Sequence, residues 1–143
     1  IIWIRLFALW HLLADVALHH LGLHVGMNEL RRHILEDEII LDIGSKTVKK
    51  IKQIIEQSNT VLWNGPAGYF ENKNFHYGTM SIAESISKNT LEKSLISVLG
   101  GGDTLAAINK SKNKLSFSHL STAGGAFLEY LEGKDLPGLS VLK

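Results

Sequence analysis

The stretch Leu95-Ile96-Ser97-Val98-Leu99-Gly100-Gly101-Gly102-Asp103-Thr104-Leu105-Ala106-Ala107-Ile108 decides the fold class. Leu95–Leu99 reads as a strand, Leu105–Ile108 as helix, and three glycines with Asp103 and Thr104 form the junction. Glycine lets the backbone turn sharply and approach a ligand with no Cβ in the way. The helix beyond offers unpaired amides and the positive end of its dipole, a setting suited to phosphate. Asp103 either caps that helix or holds a metal beside the phosphates. Taken alone, the junction also reads as a tight strand-to-helix turn with an aspartate cap.

Two further segments repeat the pattern. Thr60-Val61-Leu62-Trp63 reads as a buried strand and runs into Asn64-Gly65-Pro66-Ala67-Gly68-Tyr69-Phe70-Glu71. Phe117-Ser118-His119 leads into Ser121-Thr122-Ala123-Gly124-Gly125-Ala126, then a helical Phe127–Glu132 and a Gly133 stop. Ahead of them, Ser45–Gln57 is expected to be a helix with Val48, Ile51, Ile54 and Ile55 on one face. Lys46, Lys49, Lys50 and Lys52 form its solvated side, at a small cost against the dipole. Thr79–Lys88 is expected to be another helix, with Ser81 and Glu84 at capping-box spacing. Thr104–Lys110 and Ala123–Leu131 complete the helices, and Ile39-Ile40-Leu41 reads as a short buried strand. Alternating strands and helices imply an α/β fold: a parallel sheet of βα units with helices on its faces. The three glycine-rich loops then share the carboxyl edge of the sheet, where ligands bind in such folds.

Composition sets the outer bounds. A chain of 143 residues closes one core, and a net charge of +1 gives no reason to expect nucleic acid as a partner. The absence of cysteine removes disulfide and thiolate chemistry and is compatible with a cytoplasmic protein. Residues Ile1–Gly26 are apolar and histidine-rich and differ from the remainder. Arg5, His11, Asp15, His19, His20 and His24 interrupt the apolar run, so no membrane span is expected. An amphipathic helix with His11, Asp15 and His19 on one face is one reading. A metal site there is disfavoured, because His20 and His24 point elsewhere on the same helix. Met27 admits another reading, in which the preceding segment is a non-native extension. The expected outcome is that residues 1–26 stand off from the sheet.

From about Asp42 to Lys143 the chain resembles the C-terminal part of phosphoglycerate kinase. The resemblance is carried by Asp42-Ile43-Gly44-Ser45-Lys46-Thr47, Trp63-Asn64-Gly65-Pro66 with Phe70-Glu71, and Gly100–Thr104. Ser118-His119, Ser121–Ala126 and Leu131-Glu132-Gly133-Lys134-Asp135-Leu136-Pro137-Gly138 continue it, in the family's order and spacing. It implies the second half of a Rossmann-like kinase domain, with residues 27–143 forming a partial nucleotide-binding domain. It also implies reversible phosphoryl transfer between ATP and 3-phosphoglycerate in glycolysis, with magnesium and ATP or ADP bound. By the resemblance, Glu71 holds the ribose hydroxyls, and Asn64 and Pro66 line the phosphate and base sides of the nucleotide. Gly101, Gly102, Asp103 and Thr104 form the phosphate loop, Asp103 being associated with magnesium. Gly124 and Gly125 offer amides to the transferred phosphoryl group.

The family's acid-substrate domain, its earlier lysine-bearing loop and much of the adenine pocket have no counterpart in these residues. The chain alone is therefore expected to be inactive, and to meet 3-phosphoglycerate only if another chain supplies the missing domain. A remnant without ligand, and a half complemented by another chain, are the competing expectations. Two positions depart from the family pattern. Ser45 replaces a proline, and Ala123 replaces a glycine at a position where a positive φ would cost alanine ~1–2 kcal/mol. Plainer readings also stand: Glu71 as a solvated carboxylate, His119 as a packed histidine, Trp63 and Phe70 as core aromatics, Thr122 as a helix N-cap.

Overall fold

The computed structural model describes residues 2–5 and 41–142. The strands are β1 (Ile2–Arg5), β2 (Thr60–Asn64), β3 (Ile96–Gly100) and β4 (His119–Ser121). The helices are α1 (Ser45–Glu56), α2 (Tyr77–Lys93), α3 (Gly102–Ile108), α4 (Gly125–Leu131) and α5 (Pro137–Ser140). All four strands are parallel and lie in the order β1-β2-β3-β4. The expected α/β class is the observed one.

Alternation along the strands explains the core. Val61 and Trp63 project from one side of β2, level with Ser97 and Leu99 of β3. Val61, Trp63 and Leu99 are fully enclosed, packed with Ile51 and Ile55 of α1 and Ile82 and Ile86 of α2. The apolar face read for α1 is therefore the buried one, while Lys46, Lys49 and Lys50 are exposed. Trp63 and Phe70 are core aromatics, as expected.

Several expectations are corrected. Ile2–Arg5 does not stand off: it pairs with β2 in register Ile2↔Val61 to Arg5↔Asn64. A strand buried as deeply as β2 has backbone groups to satisfy on both sides, and Ile-Trp-Ile is a sequence suited to supply them. The remaining residues of the 1–26 segment, with His11, Asp15 and His19, lie outside the described residues, as do Ile39 and Ile40. Leu41 is not in a strand; its carbonyl accepts from Tyr69 N at 2.7 Å. Helix α2 begins at Tyr77 rather than Thr79, so Ser81 is a buried interior residue and no capping box forms with Glu84. It runs five residues beyond Lys88 and ends where Ser94 turns left-handed, at φ 56°.

The last strand also shifts, from Phe117–His119 to His119–Ser121. Two serines set this register. Ser118 N donates to Ser97 Oγ at 3.0 Å, and Ser97 N donates to Ser118 Oγ at 3.1 Å, so His119 falls opposite Val98. His119 is exposed rather than packed, and Thr122 is exposed and caps nothing, since Gly124 occupies the N-cap of α4.

Candidate functional site

The loops that follow β2, β3 and β4 meet at the carboxyl edge of the sheet, and Asn64 is their meeting point. It is the last residue of β2, and only 8% of it is exposed. Its carboxamide lies against Gly100 and Gly101 from the second loop and Gly124 from the third. A Cβ on Gly101 would stand 2.6 Å from Asn64 Oδ1, and one on Gly124 would stand 3.2 Å from it. Gly101 has φ +93°, so both its backbone and its surroundings require glycine. The second and third loops are also tied through their backbones, Gly101 N donating to Ser121 O at 3.1 Å. Among the described residues the Asn64 carboxamide makes no hydrogen bond, and its polar atoms keep contact with solvent.

The second and third loops each end in a two-turn helix. α3 and α4 have seven residues apiece, too short for a large macrodipole, so local amides carry the attraction for an anion. Leu105 N bonds Gly101 O and Leu128 N bonds Gly124 O, which leaves the amides of residues 102–104 and 125–127 without acceptors inside their helices. Gly102 and Gly125 face open space on their Cβ side. Ala123 is not at positive φ, so replacing the expected glycine carries no backbone strain.

The first loop is held by two buried threonine hydroxyls. Gly65 N donates to Thr104 Oγ1 at 2.7 Å, and Ala67 N donates to Thr79 Oγ1 at 3.0 Å. Thr104 is fully enclosed, so its hydroxyl joins one loop to another rather than facing solvent. Asp103, in the first turn of α3, is exposed and makes no side-chain cap; Gly101 takes the cap position. Pro66 is half-buried in the first loop, and Glu71 is exposed further along it. Phe70, beside Glu71, is buried beneath Lys110 Nζ at 4.8 Å from the ring centre. Lys110 follows the C-terminal end of α3, whereas Asp103 lies at its start. Glu71 thus follows a residue packed near the C-terminal end of α3.

Asp42 is a positioning residue that the sequence reading quoted but gave no role. Its Oδ2 accepts from Gly78 N at 2.8 Å in the first turn of α2, and its Oδ1 accepts from Ile43 N at 2.8 Å. A Cβ on Gly68 or Gly78 would collide with this carboxylate. Asp42 thus ties the segment that leads into α1 to the start of α2, with Gly68 of the loop after β2 packed beside it, and supplies the negative charge that the helix lacks in its own first turn. The only sequence signal was a pair of glycines far along the chain.

Among the described residues no three His, Cys, Asp or Glu side chains gather as a metal site. Asp103 is a single exposed carboxylate. That donor set fits magnesium held chiefly by phosphate oxygens and water, the usual mode for this ion, and not a resident metal. Among the described residues no helix is long and apolar enough to cross a membrane.

Comparison with known proteins gives a consistent result. The family profile described as phosphoglycerate kinase matches residues 13–134, beginning well before Asp42. The phosphoglycerate kinase of Chelativorans sp. (strain BNC1) is 50% identical over 108 residues, 76% of this chain and 27% of the relative. That of Bradyrhizobium diazoefficiens is 42% identical over 134 residues, 94% of this chain and 32% of the relative. The chain thus spans about a third or less of the curated relatives it matches. The solved phosphoglycerate kinase of Coxiella burnetii aligns with TM-score 0.66 and 43% identity over 77% of this chain and 27% of that one. The Pyrococcus horikoshii OT3 enzyme aligns with TM-score 0.66 and 36% identity over 76% of this chain and 25% of that one.

Proposed function

From the premise that this chain belongs to the phosphoglycerate kinase family, we propose that its three-loop edge is a partial site for the phosphates of magnesium–ADP or magnesium–ATP. The reaction to which such a site contributes is reversible phosphoryl transfer between ATP and 3-phosphoglycerate. The observation that carries the reading is the convergence of Gly101 and Gly124 on the Asn64 carboxamide, beside the first-turn amides of α3 and α4 that have no acceptor inside their helices.

The amides of Gly102, Asp103 and Thr104 donate to the phosphates, and those of Gly125 and its successors, with Gly124, face the transferred phosphoryl group. Asp103 helps hold the magnesium that the phosphates carry, an ion that supplies charge neutralisation when bound. Glu71, exposed on the first loop, accepts from the ribose hydroxyls, and Pro66 borders the base side. Phosphoryl transfer depends on positioning and charge stabilisation, so a chain that does not hold the acid substrate has little turnover of its own. A cytoplasmic, glycolytic setting follows only from the family.

Titration of the full chain with magnesium–ADP and, separately, with inorganic phosphate tests the reading. Millimolar binding of both is expected, worth ~4 kcal/mol. Asp103→Ala should weaken the magnesium-dependent part, and Glu71→Ala should weaken ADP while sparing phosphate. No binding at millimolar ligand, or nucleotide binding indifferent to both substitutions, would refute the site. Ordinary coupled-assay turnover by the chain alone would refute the expected inactivity.

A further inference from the structure

Asn64 is followed by Gly65, and no other asparagine in the chain precedes a glycine. That step carries chemistry of its own, because glycine has no side chain to hinder its amide nitrogen from reaching the neighbouring carboxamide carbon. Solvent hydroxide removes the Gly65 amide proton, and the nitrogen attacks Cγ of Asn64. The new N–C bond closes a five-membered succinimide, and the carboxamide nitrogen takes up a proton and leaves as ammonia. Water then opens the ring at either carbonyl, giving aspartate or isoaspartate. The net change replaces ammonia by water, with no oxidant or reductant.

In the folded chain both partners of the first bond are restrained. Gly65 N–H is engaged in a buried hydrogen bond to Thr104 Oγ1 at 2.7 Å, which keeps the nitrogen protonated and directed at the hydroxyl. Thr104 is fully enclosed, so water does not compete for that hydroxyl. The Asn64 carboxamide oxygen packs against the backbone of Gly100, Gly101 and Gly124, a contact it gives up on turning toward Gly65 N. Gly65 itself is buried and held at φ +91°.

We propose that Asn64–Gly65 is a deamidation site held closed in the folded protein by the Thr104 hydroxyl, whose product places a carboxylate where the three loops meet. The consequence of that carboxylate rests on the proposed phosphate site: a negative charge against Gly101 and Gly124 repels the anion that the neutral carboxamide accepts. The modification itself does not depend on that reading.

The test incubates the full chain at neutral pH, folded and in urea, and follows aspartate and isoaspartate at residue 64 by peptide mapping. The folded wild type should react more than about tenfold more slowly than the unfolded chain, in proportion to how often the turn opens. Thr104→Val should raise the folded rate by about tenfold, since the buried amide loses its acceptor, while Thr104→Ser should keep the wild-type rate. Should the valine variant not fold, exchange of the Gly65 amide in the wild type across sub-denaturing urea decides, because the deamidation rate must rise in parallel with amide opening. Equal rates folded and unfolded, or a rate that ignores Thr104 and amide opening, overturns the proposal. Asn64→Asp should also lose the phosphate binding of the wild type. If the wild type binds no phosphate, the function reading falls while the deamidation rates still decide the modification.

Discussion

Replacing Asp42 with alanine should destabilise the fold by about 2 kcal/mol, chiefly by freeing the start of α2 from the segment that leads into α1. The carboxylate reaches Gly78 N across 36 residues of sequence, so its loss removes a tertiary tie and not merely a local turn. A hydrogen bond to a charged acceptor contributes ~1.5–3 kcal/mol, and the half-buried setting of Asp42 places it toward the lower end. The negative charge at the N-terminus of α2, which has no acidic residue in its own first turn, adds ~0.3–1 kcal/mol. With a urea m-value of ~1–2 kcal/mol/M, the unfolding midpoint should fall by ~1–2 M. Asp42→Asn keeps an oxygen acceptor without the charge and should lose about half as much. Asp103→Ala serves as the control: it is exposed and caps nothing, and should shift stability by less than ~0.5 kcal/mol. Urea unfolding followed by circular dichroism compares the three. If Asp42→Ala unfolds at the wild-type midpoint, or no further from it than Asp103→Ala, the assigned tie is not what holds the start of α2.

Adjacent glycines in the phosphate-type loop should respond with opposite signs in thermal melts. Gly101→Ala forces a left-handed conformation worth ~1–2 kcal/mol and drives a Cβ to 2.6 Å from Asn64 Oδ1, whereas Gly102→Ala meets open space at the first helical residue. The latter should be neutral or stabilising by up to ~1 kcal/mol; equal destabilisation by both would contradict the geometry. The buried indole Nε1 of Trp63 has no hydrogen-bond partner among the described residues. Trp63→Phe removes that orphaned donor along with some packing area and should stay within ~1 kcal/mol of wild type, against ~3–5 kcal/mol for Trp63→Ala. A phenylalanine variant as unstable as the alanine one would mean that the indole nitrogen has a partner after all.

The sequence by itself determined the α/β class, the three strands that end in glycine-rich loops, and the face on which α1 packs. It also contained the motifs of the family. These features are legible because periodicity and glycine act locally: a strand shows in alternation, a helix in its spacing, a sharp turn in a missing Cβ. Only the tertiary structure decided that Ile2–Arg5 joins the sheet, that β4 begins at His119, and that α2 begins at Tyr77. It also turned Thr104 inward to Gly65 and relieved Ala123 of any positive φ. Each of these follows from satisfying buried polar groups across 20 to 40 residues of chain: Ser97 with Ser118, Asp42 with Gly78, Thr104 with Gly65. Such pairings leave no periodic trace, because either partner alone is an ordinary serine, aspartate or threonine until packing removes water from around it.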